Sequence, residues 1–180
     1  MTVVDRQRAF EQALQHNDAA LLLARLLQLI VAVEQALHGQ LKKLQTIEPL
    51  DNPAFYSDAI QQLLLLDMLA YVSVSADPET RALRHILETE DSATLIAWYQ
   101  HQWSARVMSA TDIIGSIAGA LRTAMTVIYG HIHLLRVYTK PDARHETAYQ
   151  EIIIVVDTLR ACRNQLRSRL AANGVVMQYY

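Results

Sequence analysis

The chain has 180 residues, of which 52% are hydrophobic and 19% are charged, and its formal net charge at pH 7 is −2. Only five glycines and four prolines interrupt it, which argues against all-β and disordered chains and leaves ample apolar side chains for a core. The single cysteine, Cys162, excludes an intramolecular disulfide and a cysteine-based metal cluster and fits a reducing compartment.

The distribution of charge and hydropathy predicts a soluble cytoplasmic protein that neither binds nucleic acid nor spans a membrane. The N-terminus lacks the apolar run of a signal peptide, and the most apolar window, 19–33, is short and contains Arg25 and Gln28. The densest basic cluster is more typical of a solvated helix face than of a nucleic-acid interface. It consists of Arg160, Arg163, Arg167 and Arg169.

Capping residues mark the first two predicted helices. A short helix is predicted over 4–15, with an inward face of Phe10, Ala13 and Leu14. Asp18 is a suitable N-cap for a longer helix that ends near Thr46.

Prolines in the first turn mark the next two predicted helices. Pro53 begins a helix that runs to about Val74, and Pro78 begins a shorter one that runs to about Thr89. Asp91 and Ser92 then cap the next segment.

Two long heptad seams occupy the C-terminal half. From Ser92 to Thr139, apolar or small residues recur in steps of three and four at Val107, Thr111, Ile114, Ala118, Leu121, Met125, Ile128, Ile132 and Leu135. A turn follows at 139–142, where Pro141 holds Lys140 out of the α region. The last helix ends before Asn173-Gly174, and its seam is Tyr149, Ile152, Val156, Leu159, Arg163, Leu166 and Leu170. Its apolar face is widened by Ile153, Ile154 and Val155.

The predicted fold is therefore all-α, a helical bundle with a long C-terminal antiparallel helical hairpin that forms a dimeric four-helix bundle. The predicted regions are an N-terminal helical region over 1–90, the hairpin over 91–174 and a tail over 175–180. The predicted dimer core consists of Leu121, Met125, Ile128, Ile132, Leu135, Ile152, Val156, Leu159 and Leu166. The sequence leaves open whether the hairpin pairs with a second copy or with residues 18–74. Arg163 in the seam is a candidate determinant of register or of the partner.

Residues 118–130 read Ala-Gly-Ala-Leu-Arg-Thr-Ala-Met-Thr-Val-Ile-Tyr-Gly. This segment resembles the phosphoacceptor helix of bacterial sensor histidine kinases, whose pattern is close to Ser-His-Glu-Leu-Arg-Thr-Pro-Leu-Thr. The resemblance to that family's dimerisation and phosphotransfer domain extends over about 108–172, with Gly130 and Leu134-Leu135 in step. It implies a helical hairpin on which response regulators dock near the histidine position.

The same resemblance implies that the chemistry is missing. The phosphoacceptor position falls on Gly119, its acidic neighbour on Ala120 and the family's proline on Ala124, while Leu121, Arg122 and Thr123 are retained. Glycine has no nucleophile and alanine no base, so no catalytic residue is expected in this degenerate phosphoacceptor region. The small residues around it allow another helix to approach closely.

Other candidate sites carry weaker signals. His131 and His133 lie two positions apart and point to different sides of a helix, so a replacement phosphoacceptor is not favoured. His38, His85, His101 and His145 lack the ligand spacing of a metal site, and no cofactor is predicted. An aromatic cluster is more typical of core packing than of a pigment or haem site, and it consists of Trp98, Tyr99 and Trp103.

The sequence thus predicts a non-catalytic signalling adaptor or antagonist that forms a homodimer and binds a response regulator or a sensor kinase. Two alternatives from other classes are a structural helical subunit of a larger assembly and a helical ligand-binding sensor. A phosphotransferase that uses His131 or His133 is the enzymatic alternative.

Overall fold

A computed structural model describes residues 1–69 and 110–172, together with positions 85, 87 and 93. These residues contain five helices with assigned ranges and no strand, so the all-α prediction is confirmed for the described part of the chain. The helices are α1 (Val3–Gln15), α2 (Ala19–Gln45), α3 (Pro53–Leu64), α4 (Ala110–Tyr138) and α5 (Ala143–Ala172). The predicted helix over 78–89, the start of the segment at Ser92, and the tail lie outside the continuous described stretches.

The first two helices begin where the sequence predicts. Thr2 and Asp5 form a reciprocal capping box at the start of α1, and the Asp18 carboxylate accepts the Leu21 backbone N–H at 3.0 Å at the start of α2. The predicted inward residues Phe10 and Ala13 are buried.

Helix α3 begins at Pro53 as predicted but ends at Leu64 rather than near Val74. The chain leaves the helix so that Leu66 and Met68 are buried while Leu65 is exposed. Met68 begins the next helical residues, and its N–H donates to the buried Glu34 carboxylate of α2 at 2.7 Å. This tertiary hydrogen bond satisfies a donor at the start of a helix, and no local sequence pattern predicts it.

The turn between α4 and α5 lies where the sequence predicts. Lys140 has φ 46°, so it occupies the left-handed region rather than the extended region that the following Pro141 favours. The Lys140 side chain also contacts the α2–α3 turn, where its Nζ lies 3.2 Å from Asp51 Oδ2. In that turn Asn52 is also left-handed, with φ 48°, and its side-chain amide donates to the Tyr138 carbonyl at 2.6 Å.

Helices α4 and α5 run along each other in opposite directions. Side-chain contacts join Arg136 to Glu146 near the turn and Tyr129 to Asp157 farther away. Arg163 of α5 reaches the Ala118 carbonyl still farther along.

One hydrophobic core contains residues from all five helices. Besides packing on each other, α5 packs against α1 and α2, and α4 packs against α2 and α3. The nine residues of the predicted dimer core are buried within a single chain: Leu121, Met125, Ile128, Ile132, Leu135, Ile152, Val156, Leu159 and Leu166. Of the two pairings that the sequence left open, the structure therefore shows the pairing with the N-terminal helices. The described parts of regions 1–90 and 91–174 share this core rather than folding around separate ones.

The predicted widening of the α5 apolar face is only partly correct. Ile153 and Val155 are partly buried against the core, but Ile154 is 65% exposed. Residues 152 and 156 already fill the inward side of this part of the helix, so the residue midway between them points outward.

Among the described residues, α2 is the one helix long and apolar enough to cross a membrane. The exclusion based on the 19–33 window is therefore wrong as regards length, because the helix extends to Gln45. Within its most apolar window, 67% of the residues are buried inside the folded chain. Core helices of soluble proteins share this length and composition, so the finding assigns no location by itself.

Candidate functional site

Helix α4 presents one exposed face directly opposite its buried seam. The flanks of the helix are occupied, since Tyr129 and Arg136 contact α5 and His131 contacts α3. At about 100° per residue, the remaining arc forms a continuous strip along the helix. Over residues 119–133 this strip is termed the outer face, and the exposed Leu134 and Val137 lie just beyond it. The outer face consists of Gly119, Arg122, Thr123, Thr126, Gly130 and His133, all of which are exposed.

The structure divides the predicted phosphoacceptor region between the core and the outer face. Leu121 is fully buried, Ala120 is partly exposed, and Gly119, Arg122 and Thr123 are exposed. Leu121 is thus a packing residue, whereas Gly119, to which the resemblance assigns the phosphoacceptor position, lies on the accessible surface.

Nothing in the described chain requires a glycine at position 119. A Cβ atom built there would meet no atom within 4 Å, and the same is true of Gly115 and Gly130. Each glycine in a helix interior is less favourable than alanine by about 0.5–1 kcal/mol. The close helix packing that explains such residues elsewhere is therefore not made by the described residues.

Arg163 anchors α5 beneath this region. Its side chain is buried, and its Nε donates to the Ala118 carbonyl at 2.8 Å, one residue before Gly119. A charge-assisted hydrogen bond to a backbone carbonyl fixes the position of one helix along the other. This geometry accounts for an arginine in an otherwise apolar seam.

A polar cluster lies on the flank of the outer face that borders α5. The Tyr129 hydroxyl donates to Asp157 Oδ1 at 2.5 Å, and Arg160 pairs with the same oxygen at 3.1 Å. The Arg160 guanidinium also lies 5.0 Å from the centre of the Tyr129 ring. Burial, followed by the hydrogen bond to Asp157, raises the pKa of Tyr129 to about 12. The phenol is therefore a neutral hydrogen-bond donor at physiological pH.

A second polar cluster, which the sequence reasoning missed, lies at the α4–α5 turn. Asp142 Oδ1 accepts the backbone N–H groups of Arg144 and His145 at 2.9 and 3.1 Å. His145 Nδ1 lies 2.7 Å from that oxygen and 3.2 Å from the Asp142 backbone nitrogen. This is a capping box with histidine in place of the usual glutamate or glutamine. The spacing Asp-x-x-His at the start of the predicted helix was the available signal.

Aromatic rings enclose His145, whose side chain is fully buried. The ring centres of Tyr56 and Tyr149 lie 5.4 and 6.3 Å from the imidazole centre. Burial raises the pKa of both tyrosines, and the Tyr56 hydroxyl donates to the Leu44 carbonyl at 2.7 Å. The cluster joins α2, α3 and α5 at one end of the molecule.

The structure places His131, His133 and Cys162 in different surroundings. His131 Nδ1 lies 2.8 Å from the Val127 carbonyl and its Nε2 lies 2.9 Å from Gln62 Oε1, so both ring nitrogens already have contacts, whereas His133 is exposed. Burial raises the pKa of the Cys162 thiol to about 12, with a smaller effect of the Glu11 charge.

Metal and cofactor sites depend on groups of converging side chains. The described residues contain no group of three or more histidine, cysteine, aspartate or glutamate side chains that could hold a metal ion. The aromatic residues Trp98, Tyr99 and Trp103, and also His101, lie outside the described residues.

Comparison with known proteins found no matching family model, no matching curated protein and no matching solved structure.

Proposed function

We propose that this chain is a non-catalytic signalling adaptor or antagonist of the cytoplasm, whose outer face docks a response regulator or a sensor kinase. The carrying observation is that Gly119 is exposed with open space above it, at the position to which the family resemblance assigns the phosphoacceptor. Because no contact within the described chain explains this glycine, a partner that packs closely on α4 is the explanation we favour.

The chemistry of the outer face supports binding rather than catalysis. Its side chains are hydroxyls, one arginine and one imidazole, and among the described residues none of them is paired with a base that would make it a nucleophile. The hydroxyl of Thr126 donates to the Arg122 carbonyl at 2.9 Å, as an ordinary helical threonine does.

In this proposal, two copies of the chain form a homodimer only through surfaces that are exposed in the single chain. The seam residues first assigned to a dimer core are covered by α1, α2 and α3, so a second copy would have to use another face. A dimeric four-helix bundle built on the seam would require the N-terminal helices to detach.

The docking proposal is tested with purified response regulators and sensor kinases encoded in the same genome, using calorimetry. Gly119→Leu should weaken binding at least tenfold, because a bulky side chain keeps the partner away from the helix backbone. Ala161→Leu is the matched control, since it adds the same side chain at an exposed position of α5. Unchanged binding by Gly119→Leu, or no binding by any regulator or kinase, would refute the proposal.

Phosphoryl transfer is tested separately. The chain is incubated with a phosphorylated regulator, and the label on each protein is followed over time. We expect no label on the chain, and a label that disappears in the His131→Gln or His133→Gln variant would instead establish a phosphotransferase.

A further inference from the structure

We infer that the partner packs an apolar helix, which carries a basic residue, across the outward surface shared by α3 and α4. This inference rests on the proposed docking function, since that surface borders the outer face, and it specifies the chemistry of the partner. It depends on where the exposed apolar side chains lie, how α3 meets α4, and which charges border the surface between them.

Exposed apolar side chains are concentrated on α3 and α4. Nine large hydrophobic side chains are exposed in the described part of the chain, and five of them belong to these two helices or to the residue that caps the end of α3. These five, termed the apolar patch, are Phe55, Leu65, Leu134, Val137 and Tyr138. Single exposed apolar residues are ordinary on a soluble protein, whereas a group of them on neighbouring elements is typical of an interaction site.

Two contacts show that α3 and α4 lie side by side along this patch. The rings of Phe55 and Tyr138 meet edge to face, with their centres 5.5 Å apart. Farther along, Gln62 Oε1 lies 2.9 Å from His131 Nε2. Within each helix the two contact residues are seven positions apart, so they lie along nearly one line of that helix. The two lines therefore face each other over about two helical turns.

Asp58 and Leu134 lie at intermediate levels, between the two contacts and on the outward side of these lines. The next residue in each case, Ala59 or Leu135, is buried and turns toward the core. At about 100° per residue, Asp58 and Leu134 consequently point outward, and both are exposed. Leu65 follows Asp58 by seven positions on the same side of α3. A helix laid along this surface would thus meet apolar side chains from both α3 and α4, with the Asp58 carboxylate beside them.

The charge on the α3 side of this surface is acidic. Residues 44–69 contain four acids and no lysine or arginine. Asp58 is the one charged residue of α3, and no described side chain forms an ion pair with it. A basic residue on the partner would gain an oppositely charged neighbour here, whereas an acidic residue would be repelled.

The bases nearest to this surface are paired or point elsewhere. Lys140, beyond the Tyr138 end, lies 3.2 Å from Asp51, and Arg136 is paired with a carboxylate of α5. Arg122 lies about 120° around α4 from Leu134, so it borders the other side of the outer face. An apolar helix with a basic residue therefore matches both the patch and the charge beside it.

The direct test uses two cross-linked helical peptides that carry leucines along one face, with either a lysine or a glutamate beside the central leucine. Fluorescence anisotropy at low salt should show that the full chain binds the lysine peptide about fivefold more tightly than the glutamate peptide. Asp58→Lys should reverse this order, because it exchanges attraction for repulsion. Leu134→Gln should weaken binding of the lysine peptide about tenfold. Ile154→Gln is the matched control, since it removes an exposed aliphatic side chain from α5. Circular dichroism establishes that each variant is folded.

Several outcomes would overturn the inference. They are no binding of either peptide, equal binding of the two, an order that Asp58→Lys leaves unchanged, or an equal loss in Ile154→Gln. A dimer that Leu134→Gln separates in light scattering would also overturn it, because a second copy would then cover the patch.

The docking function and the apolar helix can fail separately. If Gly119→Leu abolishes binding of a regulator or kinase while Leu134→Gln and Asp58→Lys do not affect it, the docking function holds and the apolar helix is refuted. If the lysine peptide binds as expected but no regulator or kinase does, the apolar helix holds and the signalling function is refuted.

Discussion

Asp142 links the turn, the start of α5 and the buried His145. Its carboxylate accepts hydrogen bonds from the Arg144 side chain and from two backbone N–H groups, and it contacts the imidazole. The Arg144 side chain, then the His145 backbone N–H and then the His145 ring hold the pKa of this carboxyl well below its usual range. Because these contacts favour the ionised form, its negative charge stabilises the folded chain.

Asp142→Asn should remove the charge while keeping a residue that can cap a helix. A carboxyl whose pKa is lowered by folding stabilises the protein above its unfolded pKa of about 3.9, and this contribution is lost as the pH falls toward the folded pKa. We therefore expect a lower melting temperature for the variant at pH 7 and a difference that shrinks toward pH 2. Thermal unfolding by circular dichroism measures this, with Asp58→Asn at an exposed position of α3 as the control. A difference that stays constant with pH would contradict the assignment.

At the scale of the element, one side of α4 packs in the core and the opposite side is the proposed binding surface. The seam residues Leu121 and Ile128 are fully buried, whereas the opposite side carries glycines that no described contact requires. Substitutions on the two sides should therefore have opposite consequences for stability.

Gly119→Ala should raise the free energy of unfolding by about 0.5–1 kcal/mol, because the added Cβ meets open space and the unfolded chain loses freedom. Urea denaturation measures the change. Gly39→Ala is the matched control, since this exposed glycine lies inside α2 with the same open space and should gain a similar amount. A loss of stability in Gly119→Ala alone would show that the glycine serves the fold rather than a partner.

At the scale of the whole molecule, the N-terminal helices fill the place that a second hairpin would take. Burying one large aliphatic side chain contributes about 1.5–3 kcal/mol, so the shared core makes α4 and α5 depend on α1, α2 and α3. Self-association is not needed to cover the seam.

Val156→Asp should consequently unfold the single chain rather than separate two folded copies. A carboxylate placed in this fully buried position should lower the free energy of unfolding by more than about 4 kcal/mol, which is comparable with the total stability of many domains. Ile154→Asp, two residues earlier on the same helix and exposed, should change stability by about 0.5 kcal/mol or less. Circular dichroism combined with light scattering distinguishes the outcomes. If the parent chain is a dimer and the Val156→Asp variant is a folded monomer, that result would contradict this expectation and favour the dimer core predicted from the sequence.

The local features of this fold could be predicted because their causes are local. Asp18, Pro53 and the turn at 139–142 mark boundaries through capping and backbone restriction, and the heptad steps identify buried residues such as Ile128 and Val156. The sequence alone therefore determined the all-α class, most helix bounds and which side of α4 is apolar.

Only the tertiary structure decided what covers that side. A heptad seam is equally compatible with a second copy and with the chain's own helices, because periodicity reports the width of an apolar face and not its partner. The same holds for the hydrogen bond from Met68 to Glu34 after the end of α3, the bond from Arg163 to the Ala118 carbonyl and the enclosure of His145, which join residues far apart in sequence. These contacts leave Gly119 and Arg122 as the accessible part of the segment that resembles a phosphoacceptor helix.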